Sequence, residues 1–255
     1  MNHFDIFLRL HHSEKPLLLA NVWDVSSARV FEKNGFKAAG TSSRALAQVH
    51  GYEDGEKIPF ELVLHTVKEI VAHIQIPLSL DMETGYGLTN AAIIQNIEKL
   101  HDLGAVGINL EDSILAEPGK LKPADQFQKT ISSIRNHLEK KNMRLFINAR
   151  TDTFLHKLPS MLEETIRRIV LYEQAGADGI FVPFIQDPVH LKTVVQATKL
   201  PVNIVCTAKL CDIAQLSASG VKRISMGSAF HRYLTAMMEI SAQTILSQQS
   251  YKSLF

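Results

Sequence analysis

The stretch "LSLDMETGYG" (Leu78–Gly87) joins a short apolar run to two acids, two glycines and a tyrosine. Asp81 and Glu83 stand where the apolar run ends, and further along the chain "VGINLEDS" repeats the pattern with Glu111 and Asp112. An apolar run without polar alternation is typical of a parallel strand that is covered on both faces. The two stretches therefore predict buried parallel strands that carry acids at their carboxyl ends.

Runs of this kind recur along the chain and alternate with segments of helical periodicity, such as "PFELVLHTVKEIVAHI" and "TNAAIIQNIEKLHDLG". Alternation on this scale is typical of a (β/α)8 barrel of TIM type, and an open, doubly wound sheet is the alternative. We predict one barrel domain over residues 1–255, with the barrel at about 17–230 and C-terminal helices at about 228–255 that pack on another subunit. The eight runs are Leu17–Asn21, Lys37–Ser43, Ile76–Asp81, Ala105–Asp112, Arg144–Arg150, Ala177–Phe184, Pro201–Cys206 and Val221–Gly227.

The composition is that of an ordinary globular protein, with 255 residues, 45% hydrophobic residues and a formal net charge of +1. A charge so close to zero gives no reason to expect nucleic acid or an acidic membrane as a partner. Cys206 and Cys211 match no zinc or redox motif, and we find no signal peptide or membrane span in the sequence. We expect a cytoplasmic protein whose partner is a small molecule.

The acids at the strand ends indicate a functional site. Barrel enzymes carry their chemistry at the carboxyl ends of the strands, so Asp81, Glu83 and Glu111 would meet in one mouth. Carboxylates that converge repel one another unless a cation neutralises them, and Mg²⁺ prefers carboxylate, water and substrate oxygens. The sequence therefore predicts a magnesium site there, with helix capping or pairing to lysines as the alternative for each acid.

These motifs resemble the isocitrate lyase / phosphoenolpyruvate mutase superfamily, as do "INARTDTF", "GVKRISMGSAFHR" and "NVWDVSSARVFEKNGFKAAGTSSRALAQVHGYEDGE". The resemblance covers the chain from about Leu18 to Leu234. It implies a modified barrel, usually tetrameric or else dimeric, with a C-terminal helix exchanged between neighbours. It also implies Mg²⁺, with Mn²⁺ as a substitute, and a small 2-oxo or 2-hydroxy carboxylate substrate that reacts through an enolate.

The resemblance also assigns roles to individual residues. The acids Asp81, Glu83, Glu111 and Asp54 match the metal shell, and Arg150 matches an arginine that grips the substrate carboxylate. Tyr86 is a further candidate for catalysis. The candidate substrate-binding residues are Ser42, through its hydroxyl, Ser43 and Arg44, through their backbone N–H groups, and Asp81, Arg150 and Asn203.

The loop Ser113–Pro123 departs from the family pattern. Gly119 stands where the lyases have their acid–base cysteine, so a true isocitrate lyase is not expected. The Lys-Thr-Asn segment of the phosphonate enzymes is missing from the loop, and Pro183 replaces a histidine that they carry. The loop composition suits a mobile lid.

Several functions stay open. Decarboxylation of an oxaloacetate-type substrate demands least of such a site, and a retro-aldol lyase with Lys120 or Glu117 as acid–base is the close rival. Phosphonopyruvate-type P–C chemistry is a third candidate. A Schiff-base aldolase, which needs a desolvated lysine, and a noncatalytic barrel that binds dicarboxylates complete the set.

Overall fold

The computed structural model describes residues 2–255, and its strands form one parallel sheet surrounded by helices. The strands are β1 (Leu17–Leu18), β2 (Ala20–Val22), β3 (Ala39–Thr41), β4 (Leu78–Asp81), β5 (Gly107–Glu111), β6 (Phe146–Arg150), β7 (Gly179–Phe181), β8 (Val202–Val205) and β9 (Arg223–Ser225). The helices are α1 (His3–His11), α2 (Val25–Lys33), α3 (Ser43–Val49), α4 (Phe60–His73), α5 (Asn90–Asp102), α6 (Ala124–Lys140), α7 (Met161–Gln174), α8 (Pro188–Gln196), α9 (Ile213–Ala218) and α10 (Ala229–Gln248), followed by a 3₁₀ turn at Lys252–Leu254.

The sheet closes on itself because the first predicted strand is divided in two. β1 pairs with β9, whereas β2 pairs with β3, and only Leu19 separates the two segments. Leu19 bridges them, since its N–H donates to the carbonyl of Ile224 at 2.9 Å while the next residue already bonds to the carbonyl of Ala38. The prediction of a TIM-type barrel rather than an open sheet is therefore confirmed.

The helix α1, which the sequence did not predict, packs against the barrel at the start of β6. The ring of Phe7 is buried and lies edge-on to Phe146 at 5.5 Å, and His11 stacks on the same Phe146 at 4.3 Å. A side chain at Gly107 would place its Cβ 3.0 Å from the ring of Phe7 and 3.2 Å from the carbonyl oxygen of Phe146, so a larger residue would force these neighbours to shift.

The helix α10 differs from the other long helices because none of its residues is buried. It carries large apolar side chains that are exposed by 37–65%, namely Tyr233, Leu234, Met237, Met238 and Ile240. The predicted C-terminal helical extension is thus present, but its exchange between subunits stays a prediction. Within residues 2–255, no helix has the length and apolar character that crossing a membrane requires.

Candidate active site

A cavity of about 450 Å³ lies where the barrel strands end. The last residues of six strands line it, and all four acids predicted for a metal site reach the same space. Asp81, Glu83 and Glu111 therefore lie where their positions at the strand ends predicted, whereas Asp54 reaches the cavity from the turn that follows α3. The strand-end residues are Asp81, Glu111, Arg150, Phe181, Val205 and Ser225, and the remaining predicted residues on the wall are Ser42, Ser43, Arg44, Asp54 and Glu83.

Asp81, the last residue of β4, is fixed by polar side chains from the neighbouring elements. Its carboxylate accepts a hydrogen bond from the hydroxyl of Ser43 at 2.9 Å and a longer one from the amide of Asn109 at 3.4 Å. The N–H of Asp81 donates to the hydroxyl of Thr41 at 2.9 Å. These bonds aim the carboxylate into the cavity before any ligand arrives.

Glu83 is held by a turn from another part of the chain. Both of its carboxylate oxygens accept from the N–H of Glu56, at 3.2 and 3.1 Å, and one accepts from the hydroxyl of Tyr86 at 3.1 Å. The carboxylate of Glu56 in turn accepts from the N–H and hydroxyl of Thr84 and from the N–H of Tyr86. Glu56 therefore positions Glu83, a role that its place in "GYEDGE" did not reveal.

Arg150, at the end of β6, joins two acids on the cavity wall. Its Nη1 lies 2.6 Å from Glu111, and its Nε and Nη2 donate to the two oxygens of Asp152 at 2.7 and 3.0 Å. Burial opposes the charge of Arg150, but Asp152 and Glu111 together raise the pKa of the guanidinium well above its ordinary value. The arginine is charged and its fork is fixed in one orientation.

The start of α3 forms another part of the wall. Ser42 caps the helix by accepting from the N–H of Ala45, and Arg44 pairs with Asp54 at 2.9 Å. The N–H groups of the first turn of a helix have no partner within the helix, so those of Ser43 and Arg44 are free to meet a ligand oxygen. Both residues line the cavity, and the backbone role in substrate binding stays a prediction.

Beside this wall, Asp112 lies fully buried in a polar network. Its carboxylate accepts from Nη1 of Arg168 at 2.9 Å, from the hydroxyl of Tyr172 at 2.7 Å and from the N–H of Asp152 at 3.1 Å. Asp112 therefore positions Asp152 and, through it, Arg150. This acid was not among the predicted metal ligands, and it does not line the cavity.

A divalent cation fits the chemistry of the acids in the cavity, although no three Asp, Glu, His or Cys side chains among residues 2–255 form a ready-made ligand group. Burial, and then the charges of Asp81 and Asp54, raise the pKa of the Glu83 carboxyl to about 8. A cation would relieve this repulsion. Mg²⁺ in particular keeps several waters and needs only one or two direct carboxylates.

Comparisons with known proteins identify the family of the chain. The family model described as phosphoenolpyruvate phosphomutase matches residues 7–246, which is most of the chain. The chain belongs to the phosphoenolpyruvate mutase family. The resemblance to the isocitrate lyase / phosphoenolpyruvate mutase superfamily is thereby confirmed, and with it the prediction that the protein is an enzyme of this superfamily.

Individual members of the family are similar over most of their length. An uncharacterized protein of Mycobacterium tuberculosis is 34% identical over 222 residues, which cover 87% of this chain and 81% of that protein. The oxaloacetate decarboxylase of Pseudomonas fluorescens is 30% identical, with 82% and 72% covered. A Burkholderia cenocepacia protein of known crystal structure, assigned as a phosphonomutase, is 36% identical in sequence. The two structures superpose with a TM-score of 0.87 over 95% of this chain and 98% of that one.

Three residues that were predicted to take part in the reaction or in binding lie elsewhere. Lys120 is not on the cavity wall, since its exposed ammonium pairs with Glu117 at 2.5 Å. Tyr86 lines a second cavity and reaches the active site only through its bond to Glu83. Asn203 is 1% exposed inside the barrel, where its amide oxygen accepts from Asn148 and its amide nitrogen donates to a backbone carbonyl. The three corrections have one cause, because sequence position does not tell which way a loop or strand side chain points.

The loop between β5 and α6 forms a small turn beside the cavity. Ser113 pairs with Leu121, the N–H of Ile114 donates to the carbonyl of Lys120, and the N–H of Lys122 donates to that of Asp112 at 2.7 Å. Gly119 lines the cavity with φ of +87°, a conformation that glycine adopts without strain. Closure of the loop over a ligand stays a prediction.

Proposed function

We propose that the protein is a Mg²⁺-dependent carbon–carbon lyase that acts on a small 2-oxo carboxylate, with oxaloacetate decarboxylation as the first candidate reaction. The observation that carries the proposal is the joint presence of Asp81, Glu83, Glu111 and Arg150 on one cavity wall. A 2-oxo dicarboxylate needs a cation at one end, which the acids can hold, and a fixed cationic fork at the other end, which Arg150 provides. The similarity to oxaloacetate decarboxylases at about 30% identity supports the same reaction.

The residues on the cavity wall would have the following roles. Asp81, Glu83, Glu111 and Asp54 would hold the metal, directly or through water, and Mn²⁺ would serve in its place. A divalent metal supplies Lewis-acid stabilisation of the negative charge that develops on the 2-oxo oxygen. Arg150 would orient a substrate carboxylate, and the N–H groups that begin α3 would donate to further substrate oxygens.

The alternatives differ in what they require from the cavity wall. No lysine among residues 2–255 lines the cavity, which disfavours a Schiff-base aldolase. A retro-aldol lyase would need an acid–base other than Lys120, because that side chain is exposed and paired with Glu117. Phosphonopyruvate-type P–C chemistry is favoured by the 36% identity to the Burkholderia protein. P–C chemistry is disfavoured because the loop Ser113–Pro123 lacks the Lys-Thr-Asn segment of the phosphonate enzymes, so it stays the second candidate.

A panel of 2-oxo acids tests the proposal. We expect pyruvate and CO₂ from oxaloacetate, with Mg²⁺ or Mn²⁺ required and with a rate above that of the metal ion alone. Phosphate release from phosphonopyruvate, followed by ³¹P NMR, would favour the second candidate instead. Turnover of no member of the panel, together with tight binding of oxalate in calorimetry, would indicate a noncatalytic dicarboxylate-binding barrel.

We also propose that α10 holds the protein in a homotetramer, or else in a dimer. Tyr233, Met237 and Ile240 lie three or four residues apart and therefore share one face, which residues 2–255 leave uncovered. An apolar stripe of this kind marks an interface. A cytoplasmic location is a further part of the proposal, and it rests on two cysteines, Cys206 and Cys211, that form no disulfide.

The substitution Met237→Glu tests the assembly. It places a charge at the centre of the apolar face, so we expect the larger species to dissociate toward monomers in light scattering at micromolar concentration. Thr235→Glu adds the same charge to the opposite, exposed side of α10 and is expected to leave the mass unchanged. A monomeric wild-type protein, or an unchanged mass for Met237→Glu, would contradict the proposal.

A further inference from the structure

Ser113, Asp152 and His156 form a chain of hydrogen bonds on the cavity wall that the proposed function does not use. The hydroxyl of Ser113 donates to Oδ2 of Asp152 at 2.5 Å, and Nε2 of His156 lies 3.2 Å from the same hydroxyl. Ser113 is 5% and Asp152 is 0% exposed, while His156 is half-buried. All three line the cavity, and His156 is the only imidazole on its wall within residues 2–255.

The partners of this chain show which atoms donate and which accept. Asp152 accepts from the Ser113 hydroxyl, and Arg150 binds both of its oxygens, so its negative charge is already neutralised. The lone pairs of the Ser113 oxygen are then left to accept a proton from Nε2 of His156. Because His156 is half-buried rather than enclosed, it can exchange protons with solvent.

A carbon–carbon lyase of the proposed kind needs a proton donor. When CO₂ leaves oxaloacetate, the electrons of the broken C–C bond remain in an enolate, and its carbon must take up one proton to give pyruvate. Gly119 has no group to donate, Lys120 is exposed and paired with Glu117, and the acids of the cavity are assigned to the metal. Histidine is the side chain that most often performs general acid–base catalysis.

We propose that His156 and Ser113 form the proton relay of this active site, an inference that rests on the proposed function. The Ser113 hydroxyl turns from Asp152 to the enolate carbon and gives up its proton, its oxygen takes the proton of Nε2 of His156, and His156 recovers a proton from solvent. In the reverse direction the same pair removes a methyl proton from bound pyruvate. Asp152 holds the Ser113 hydroxyl in place, and Arg150 holds Asp152.

If the relay operates, substitution should affect two activities of the protein to different extents. Purified protein with saturating Mg²⁺ should decarboxylate oxaloacetate, and it should also exchange the methyl protons of pyruvate for deuterium in D₂O, as followed by ¹H NMR. In His156→Gln we expect exchange to fall by about 100-fold or more, the scale of a lost general acid–base. CO₂ release should fall by no more than about 10-fold, because C–C cleavage itself needs no proton from the relay.

Matched variants separate the relay from a structural role. Ser113→Ala should lose exchange as His156→Gln does, whereas Ser113→Thr keeps the hydroxyl and should retain most of it. His65→Gln removes an exposed imidazole on α4 and should behave as the wild type. Cys206→Ala tests another proton donor on the wall, a thiol whose pKa burial raises.

Each result either supports or overturns the relay. Equal loss of both activities in His156→Gln and Ser113→Ala, or full exchange in both, would overturn it. Wild-type protein that decarboxylates but does not exchange would also overturn it, as would selective loss of exchange in Cys206→Ala while His156→Gln retains it. Wild-type protein with neither activity would overturn the proposed function itself, and the relay with it.

Discussion

Asp81→Asn is expected to lower metal-dependent turnover by about 1,000-fold or more, since a bound metal contributes several kcal/mol to charge stabilisation in the transition state. The change keeps the shape of the side chain and its contact with Ser43, so the barrel should remain folded. The loss should come from the missing negative charge at the centre of the acids. Steady-state kinetics at saturating Mg²⁺ and thermal unfolding measure the two effects separately.

A control variant distinguishes this loss from a general effect of charge. Asp102→Asn removes an exposed carboxylate at the end of α5, and its kinetics should match those of the wild type. Asp81→Asn should also lose the response to added Mg²⁺, rather than merely require more of it. Wild-type activity that persists in excess chelator would contradict the role of Asp81 as a metal ligand.

Arg150→Lys is expected to lower kcat/KM by at least about 10-fold, because lysine keeps the charge but cannot form the fork. In the folded protein this fork already joins Glu111 to Asp152. The variant should therefore lose both the grip on the substrate carboxylate and the alignment of the two acids. Kinetics with oxaloacetate, and with pyruvate in the exchange assay, report on the two losses.

Arg144→Lys provides the matched comparison. Arg144 is an exposed arginine that pairs with Asp5 on the surface, so the same substitution there should change neither kcat nor KM. An unchanged kcat/KM for Arg150→Lys would reject the substrate role and would leave Arg150 as a structural partner of Asp152.

The sequence predicted those features of the molecule that depend on local order along the chain. Apolar runs give the strands, and the ends of parallel strands meet at one edge, so Asp81, Glu111 and Arg150 could be brought together without knowledge of any contact. The closure of the barrel also follows from the number of runs. What the runs did not predict is the division of the first strand at Leu19, which depends on pairing with β9 and β3.

Features that depend on contacts between distant loops could not be predicted. Glu56 holds Glu83 from a turn 27 residues away, and Ser113 meets Asp152 and His156 from another strand end. Nothing in "RTDTFLHKL" indicates that His156 turns back to the cavity. The prediction for Lys120 failed for the same reason, because a loop residue can point to the cavity or to solvent with equal ease.

A divalent cation and an enolate-like ligand should bind together among Asp81, Glu83, Glu111 and Arg150. Crystals grown with Mn²⁺ and oxalate would reveal this joint binding, because Mn²⁺ gives an anomalous signal that locates the ion. We predict one strong peak at the Asp81 carboxylate, with oxalate chelating the ion and contacting Arg150. A cavity without a peak at saturating Mn²⁺, or a peak only outside it, would show that these residues do not form a metal site.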